Sequence, residues 1–241
     1  VTDSGSSRPM PLSPAAYPGE TELSVATVTW GPGIPDESSL RLLSNPSGKR
    51  VLQLGVGCGH NAVSLALAGA KVIAVDPDIA AIEKARSFAD THEVKVELHH
   101  GDPAEIPFIR ADQIDNAFSV FTLHRVDDLD RVLRQVNRVL RTGGSFTCSL
   151  PHPAWAMVDH NGFGPSRIQR AYGDGGEHEI DGITMTTRSI ANIISAFGRA
   201  NFRIDALLEP YARADTAGAF WSETLNIVPA ALIVRGRKDG V

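Results

Sequence analysis

The stretch VLQLGVGCGHNAVSLALAGAKVIAVD, Val51 to Asp76, constrains this chain more than any other. Val51, Leu52 and Leu54 read as a buried strand that runs into a glycine turn. A helix follows, and then a second apolar strand that closes on an acid. A strand, a tight glycine turn and a helix N-terminus form a cradle for a nucleotide-like ligand. Glycine lets the backbone approach such a ligand where any Cβ would collide. Asp76 is placed to accept hydrogen bonds from two ribose hydroxyls. Gly55, Gly57 and Gly59 are spaced G-x-G-x-G. The dinucleotide fingerprint needs its third glycine at position 60, and that residue is His60. The pyrophosphate pattern is therefore not met, and a ligand without phosphates calls for a different turn.

The rest of the chain alternates strand and helix. Residues 1–45 read as an N-terminal arm and cap segment, in which Pro35-Asp36-Glu37-Ser38 starts a helix through Leu42 and Leu43. Residues 46–241 read as one domain. Its strands are Val51–Leu54, Lys71–Val75, Val94–His99, Asn116–Phe121 and Ser145–Leu150. The helices between them are Asn61–Leu67, a helix capped by Asp78 that buries Ile79, Ile82 and Phe88, and a helix with a stripe from Val126 to Leu140 that Gly143-Gly144 ends. This alternation predicts an α/β fold, a doubly wound, mostly parallel sheet with helices on both faces. From Pro151 to Thr187 the periodicity lapses, as in a lid or substrate-binding insertion. A helix with Ile190, Ile193, Ile194 and Phe197 follows. Two late strands, Phe202–Leu208 and Pro229–Arg235, then suggest an antiparallel hairpin at one sheet edge.

With 241 residues, 42% of them hydrophobic, the chain suffices for one such core. A net charge of −5 argues against a nucleic-acid partner. Cys58 and Cys148 offer neither a disulfide framework nor zinc spacing, and His99 and His100 lack clear ligand partners, so no metal is expected. No stretch approaches the ~20 apolar residues that span a bilayer, so no membrane partner is expected. The N-terminus lacks the basic and apolar regions of a secretory signal. A cytoplasmic protein is the default expectation, and a homodimer is left open.

The glycine turn resembles motif I of the class I S-adenosylmethionine (SAM) methyltransferases, h-h-[DE]-h-G-x-G-x-G. GDPAEIPF, Gly101 to Phe108, is similar to the family's G-D-[AV]-x-x-[LI]-P-F. Asp115 to Phe146 is similar to its motif IV to motif V region. The resemblance covers about Lys49 to Pro153. It implies a Rossmann-like seven-stranded sheet with an antiparallel last strand, SAM as cofactor and S-adenosylhomocysteine as product. It also implies a cofactor site of Trp30, Gln53, Gly55, Val56, Gly57, Gly59, Asn61, Asp76, Pro77, Asp102, Pro103, Val120 and Phe121. Two residues depart from the pattern. Gln53 stands where the family has an acid, keeping a carbonyl acceptor but dropping the charge. Pro103 stands where the family donates a backbone N–H to adenine, and proline has none.

His124, just beyond the fourth strand, could take a proton from a nucleophile, or could instead pack on the cofactor or cap the next helix. His152 is the second candidate, with a structural turn before Pro153 as its alternative. Trp30, Trp155, Tyr172 and Trp221 lie in segments expected over the pocket mouth, where aromatics would suit an apolar or planar acceptor; packing under long loops is the commoner role for any single one of them. Arg131, Arg134, Arg138 and Arg141 read as a solvated basic face. The function expected is methyl transfer from SAM to an O, N or C atom of a small molecule. The alternative is a protein of this fold that binds SAM without methyl transfer. A nicotinamide oxidoreductase is opposed by His60.

Overall fold

The computed structural model describes residues 24–43, 45–158, 167–180, 183–213 and 223–240. Its centre is one sheet with strand order β3-β2-β1-β4-β5-β9-β8. The strands are β1 (Arg50–Leu54), β2 (Lys71–Asp76), β3 (Val96–His100), β4 (Ile114–Val120), β5 (Leu140–Pro151), β8 (Phe202–Leu208) and β9 (Ala231–Lys238). The five strands from β3 to β5 are parallel, whereas β9 runs antiparallel to both β5 and β8. This is the doubly wound sheet and antiparallel edge pair expected from the sequence. Strand order reverses between β1 and β4, and ligands of such sheets sit at the carboxyl ends beside that switch.

Alternating side chains divide the core. Leu52, Leu54, Ile73 and Val75 point to the face covered by α4 (Leu129–Val139) and α6 (Ile190–Arg199). Val51, Val72 and Phe118 point to the other face, under α2 (His60–Leu67) and the N-terminal segment. Helix α4 buries Leu129, Val132, Leu133, Val136 and Val139, and the Asp128 carboxylate caps it by accepting from Arg131 N at 2.9 Å. Each such side chain contributes about 1.5–3 kcal/mol when fully buried.

Five elements differ from the sequence reading. Helix α1 (Glu37–Leu40) stops at Arg41, at φ 50°, and does not reach Leu42 and Leu43. Their N–H groups donate instead to the Glu37 carboxylate, at 3.0 and 2.6 Å. Helix α4 ends at Val139, four residues before the glycines, because Leu140 already pairs with Ile114 in β5. The glycines serve a register shift in β5: a Cβ on Gly144 would lie 2.9 Å from Asp115 O. In α3 (Ile79–Thr91), Ile79 is exposed and Phe88 half-buried. The buried face is Ala81, Ile82, Ala85 and Ala89, since Gly59 packs so close that a Cβ there would sit 2.9 Å from Ala85 Cα. The insertion is not patternless either. It carries α5 (Pro153–Ala156) and a two-stranded sheet of β6 (Asp174–Ile180) and β7 (Ile183–Arg188). Finally, the basic stripe of α4 is only partly solvated, since half-buried Arg138 donates to Ile109 O and Ile106 O at 2.8 and 2.9 Å.

Candidate functional site

Four loops meet at the carboxyl ends of β1 to β4. Gly55, Gly57 and Gly59 all take positive φ, 78°, 57° and 92°, which side chains rarely tolerate. At Gly55 the crowding neighbour is protein: a Cβ would fall 2.2 Å from Thr122 Oγ1. The glycine turn thereby locks the loop after β1 to the loop after β4.

Asp76 ends β2 fully buried. Its carboxylate accepts from Val56 N at 2.8 Å and from Asp78 N at 2.9 Å. Backbone donors thus fix the carboxylate between the glycine turn and α3. Gln53 lies buried beneath the turn. Its Nε2 donates to Gly55 O at 2.9 Å, while its Oε1 has no hydrogen-bond partner among the described residues. A buried acceptor left unpaired is a cost that a bound donor would relieve. Loop φ values, a fixed acid and an orphan acceptor together suit a cofactor with a ribose and an ammonium.

The adenine end is more open. Asp102 is exposed, and its Oδ1 accepts from Ala104 N at 2.8 Å. Pro103 is buried, and Pro77 O is held by His100 Nε2 at 2.9 Å.

Asn61 and Trp30 sit elsewhere than their expected role. Asn61 pairs with the N-terminal segment, its Oδ1 accepting from Thr29 N at 2.9 Å and its Nδ2 donating to Thr29 O at 3.1 Å. His60, the residue that breaks the dinucleotide pattern, adds Nε2 to Thr29 Oγ1 at 2.9 Å. Burial pushes the His60 pKa down to about 4. Trp30 is fully buried, edge-on to Phe118 at 6.3 Å, with its Nε1 donating to Glu37 at 3.1 Å. In this structure Trp30 packs in the core with Phe118 and Val28. The sequence reading missed Thr29, because its contact depends on a segment 32 residues away folding back.

Across the switch point, Val120 and Phe121 are buried at the end of β4. Phe121 adopts φ 47°, turning the chain into a single 3-10 turn, Leu123–Arg125, that carries His124. His124 is buried edge-on to Phe121. Burial first, then the Arg125 and Arg188 guanidiniums, push its pKa down to about 3, which makes it a weak base. Arg188, from β7, donates to Leu123 O, Val126 O and Asp127 O and so clamps the turn. No periodicity or motif marks Arg188 in the sequence. Between turn, α5, α6 and β7 lies a small, mostly apolar cavity of about 20 Å³.

His152 is also buried, and both ring nitrogens are occupied. Nδ1 accepts from Ala154 N at 3.0 Å, capping α5, and Nε2 meets Glu209 at 2.9 Å. Of the aromatics in segments expected over the pocket mouth, Trp155 packs in the core, while Tyr172 accepts from Ile190 N at 3.1 Å. Trp221 lies outside the described residues. Among the described residues no cluster suits a metal ion, and no helix is long and apolar enough to cross a membrane.

Residues 52–148 match the family described as "Methyltransferase domain". The chain is 29% identical, over 119 residues, to the ubiquinone/menaquinone biosynthesis C-methyltransferase UbiE of Rubrivivax gelatinosus, covering 48% of this chain and 45% of that one. It is 30% identical, over 128 residues, to the S-adenosyl-L-methionine-dependent Diels-Alderase iccD of Talaromyces variabilis, covering 49% and 44%. The matches thus span about half the length of these curated relatives. A solved SAM-dependent methyltransferase from Mesorhizobium loti superposes with a TM-score of 0.69 at 26% identity, over 82% of this chain and 94% of that one. Residues 52–148 thus resemble a SAM-dependent methyltransferase domain, and sheet order, glycine turn and buried acid agree with that likeness.

Proposed function

We propose that this protein transfers a methyl group from SAM to a small, largely apolar acceptor. The observation that carries the reading is the cradle after β1, where the glycine turn packs on Thr122 and holds a fixed acid and an orphan acceptor. When bound, SAM supplies a methyl activated by its sulfonium. Asp76 holds the ribose hydroxyls. Gln53 Oε1 accepts from the cofactor's ammonium. The glycine turn, Val56 and Pro77 line the cradle, and Asp102 takes the adenine amino group. The residues after β4 separate the cradle from the acceptor space. Leu123, Leu150, Met185 and Ile193 give that space an apolar lining. Positioning and desolvation then do most of the work, since the leaving group is already activated. The likeness to a quinone C-methyltransferase favours a carbon nucleophile over nitrogen or oxygen. Calorimetric titration with SAM and S-adenosylhomocysteine tests the cofactor half of the reading. No heat with either ligand would end it.

A second reading, cofactor binding without methyl transfer, is favoured by the likeness to a SAM-dependent Diels-Alderase and by Gln53 and Pro103 at family contact positions. Conversion of SAM to S-adenosylhomocysteine with any acceptor would exclude it.

A further inference from the structure

His124 has one nitrogen that the fold uses and one that it does not. Arg125 Nε–H donates to His124 Nε2 at 3.4 Å. A guanidinium N–H only donates, so Nε2 carries the lone pair. With a pKa near 3 the ring is neutral at ordinary pH, and its single proton is on Nδ1. That Nδ1 is buried without a hydrogen-bond partner among the described residues. His124 lines the small cavity together with Leu129, Leu150, Met185, Ile193 and Thr187. The space, about 20 Å³, has room for roughly one water. The surroundings of the ring hold two cations, Arg125 and Arg188, and the acids Asp127, Asp128 and Asp130 that act on Arg188.

We propose that His124 is a hydrogen-bond donor, not a base, and that its Nδ1–H receives the oxygen of an apolar ligand bearing a carbonyl, enolate or phenolate. The ligand enters by displacing the β6–β7 hairpin, since the space as it stands has room for about one water. Two guanidiniums beside the ring favour the anionic forms. An enolate or phenolate oxygen held this way leaves its neighbouring carbon electron-rich and facing outward. The inference rests on the methyltransferase reading for the identity of this cavity as the acceptor site. The direction of the hydrogen bond stands apart from it.

Two measurements test the proposal on the full chain. Imidazole nitrogen NMR of histidine-labelled protein reads the tautomer. The expected spectrum has a protonated Nδ1 and an unprotonated Nε2 for His124, unchanged from pH 8 to pH 5. An Nε2–H tautomer, or a ring titrating near 6.5, would overturn the donor role. The second probe is 4-nitrophenol, added with S-adenosylhomocysteine. The bound probe is expected to ionise at a lower pH than the free one and to move the Nδ1 resonance. His124→Ala should weaken its binding about tenfold or more, the range for a hydrogen bond to a charged acceptor, and His124→Asn should recover part of it. Absence of binding, or equal affinity in His124→Ala, would overturn the ligand class. A protein that shows the Nδ1–H tautomer and binds 4-nitrophenol, yet gives no heat with S-adenosylhomocysteine, would keep this inference and lose the methyltransferase reading.

Discussion

The two sides of the switch point are built differently. On the β1–β2 side the site is backbone, its Asp76 carboxylate fixed by N–H groups of residues 56 and 78. On the β4 side it is side chains from distant segments, with His124 held by its neighbour Arg125 and its turn clamped by Arg188 from more than 60 residues away. A backbone cradle needs a local motif. A side-chain cavity needs only that the fold close, and its lining varies without touching the cradle. Cofactor and acceptor specificity are therefore physically separable here.

The largest break in that comparison is Asp76→Ala. It removes the acceptor of two backbone N–H groups and the expected ribose contacts. Two hydrogen bonds to a charged group are together worth about 3 kcal/mol or more, so S-adenosylhomocysteine affinity should fall at least ~100-fold by calorimetry. His124→Ala should leave that affinity within about threefold. An equal loss in both variants would mean that the two sides are one unit.

Arg188→Ala should do the reverse. Three carbonyls lose a charged donor, and stability should fall by about 2–3 kcal/mol in a denaturant titration. Cofactor affinity, corrected for the unfolded fraction, should not change.

Acid should strike both sides through their buried imidazoles. His60 and His124 have folded pKa values of about 4 and 3, below the 6.5 of an exposed ring. The unfolded chain therefore binds more protons between those limits, and stability falls as pH drops below 6.5. At pH 4.5, two units below 6.5, each ring should cost about 2.6 kcal/mol, since one pKa unit is worth 1.36 kcal/mol. His124→Asn, which cannot titrate, should flatten the profile by roughly one ring's share. A wild-type profile that is flat from pH 7 to pH 4.5 would place one or both rings in solvent.

Gln53→Glu sharpens the cradle side alone. A carboxylate at this buried position has no partner in the free protein, so the melting temperature should fall. Saturating S-adenosylhomocysteine should raise it by more than in wild type, because an ammonium then pairs with the new charge. An equal ligand-induced shift in both proteins would remove Gln53 from the ammonium contact.

The same division explains what could be read in the chain. The parallel sheet, the glycine turn, Asp76 and the helix faces of α4 and α6 follow from spacing within short segments. What spacing could not give was set by tertiary partners. Gly143 and Gly144 look like a helix stop but serve a bulge, because β5 begins early against Ile114. Ile79 looks like core, but the close approach of Gly59 selects alanines instead. Residues 174–188 lack a clear period, yet they pair as a hairpin whose last residue clamps the His124 turn. The resemblance names Trp30 for the cofactor, and its own segment does not show that it packs with the Glu37 carboxylate and the Phe118 ring, which lie on other elements.

The smallest effect belongs to Thr29→Val, and it tests whether the N-terminal segment belongs to the cradle. The substitution deletes one hydroxyl, which meets His60 Nε2 at 2.9 Å, but leaves the Thr29 backbone paired with Asn61. The loss should be about 0.5–1 kcal/mol of stability, the net worth of one neutral hydrogen bond. Its location matters more than its size. The segment touches the glycine turn through His60 and Asn61, and it touches the end of β4 at Gly31, where a Cβ would lie 2.5 Å from the Phe121 ring. It therefore spans both sides of the switch point. If its docking is coupled to the cofactor, S-adenosylhomocysteine will slow hydrogen exchange at residues 28–31 in wild type, and less so in Thr29→Val. By linkage, the variant's cofactor affinity will fall by no more than the factor by which its docking weakens. Exchange at these residues that ignores the ligand would return the segment to the core and leave the two sides joined only at Gly55 and Thr122.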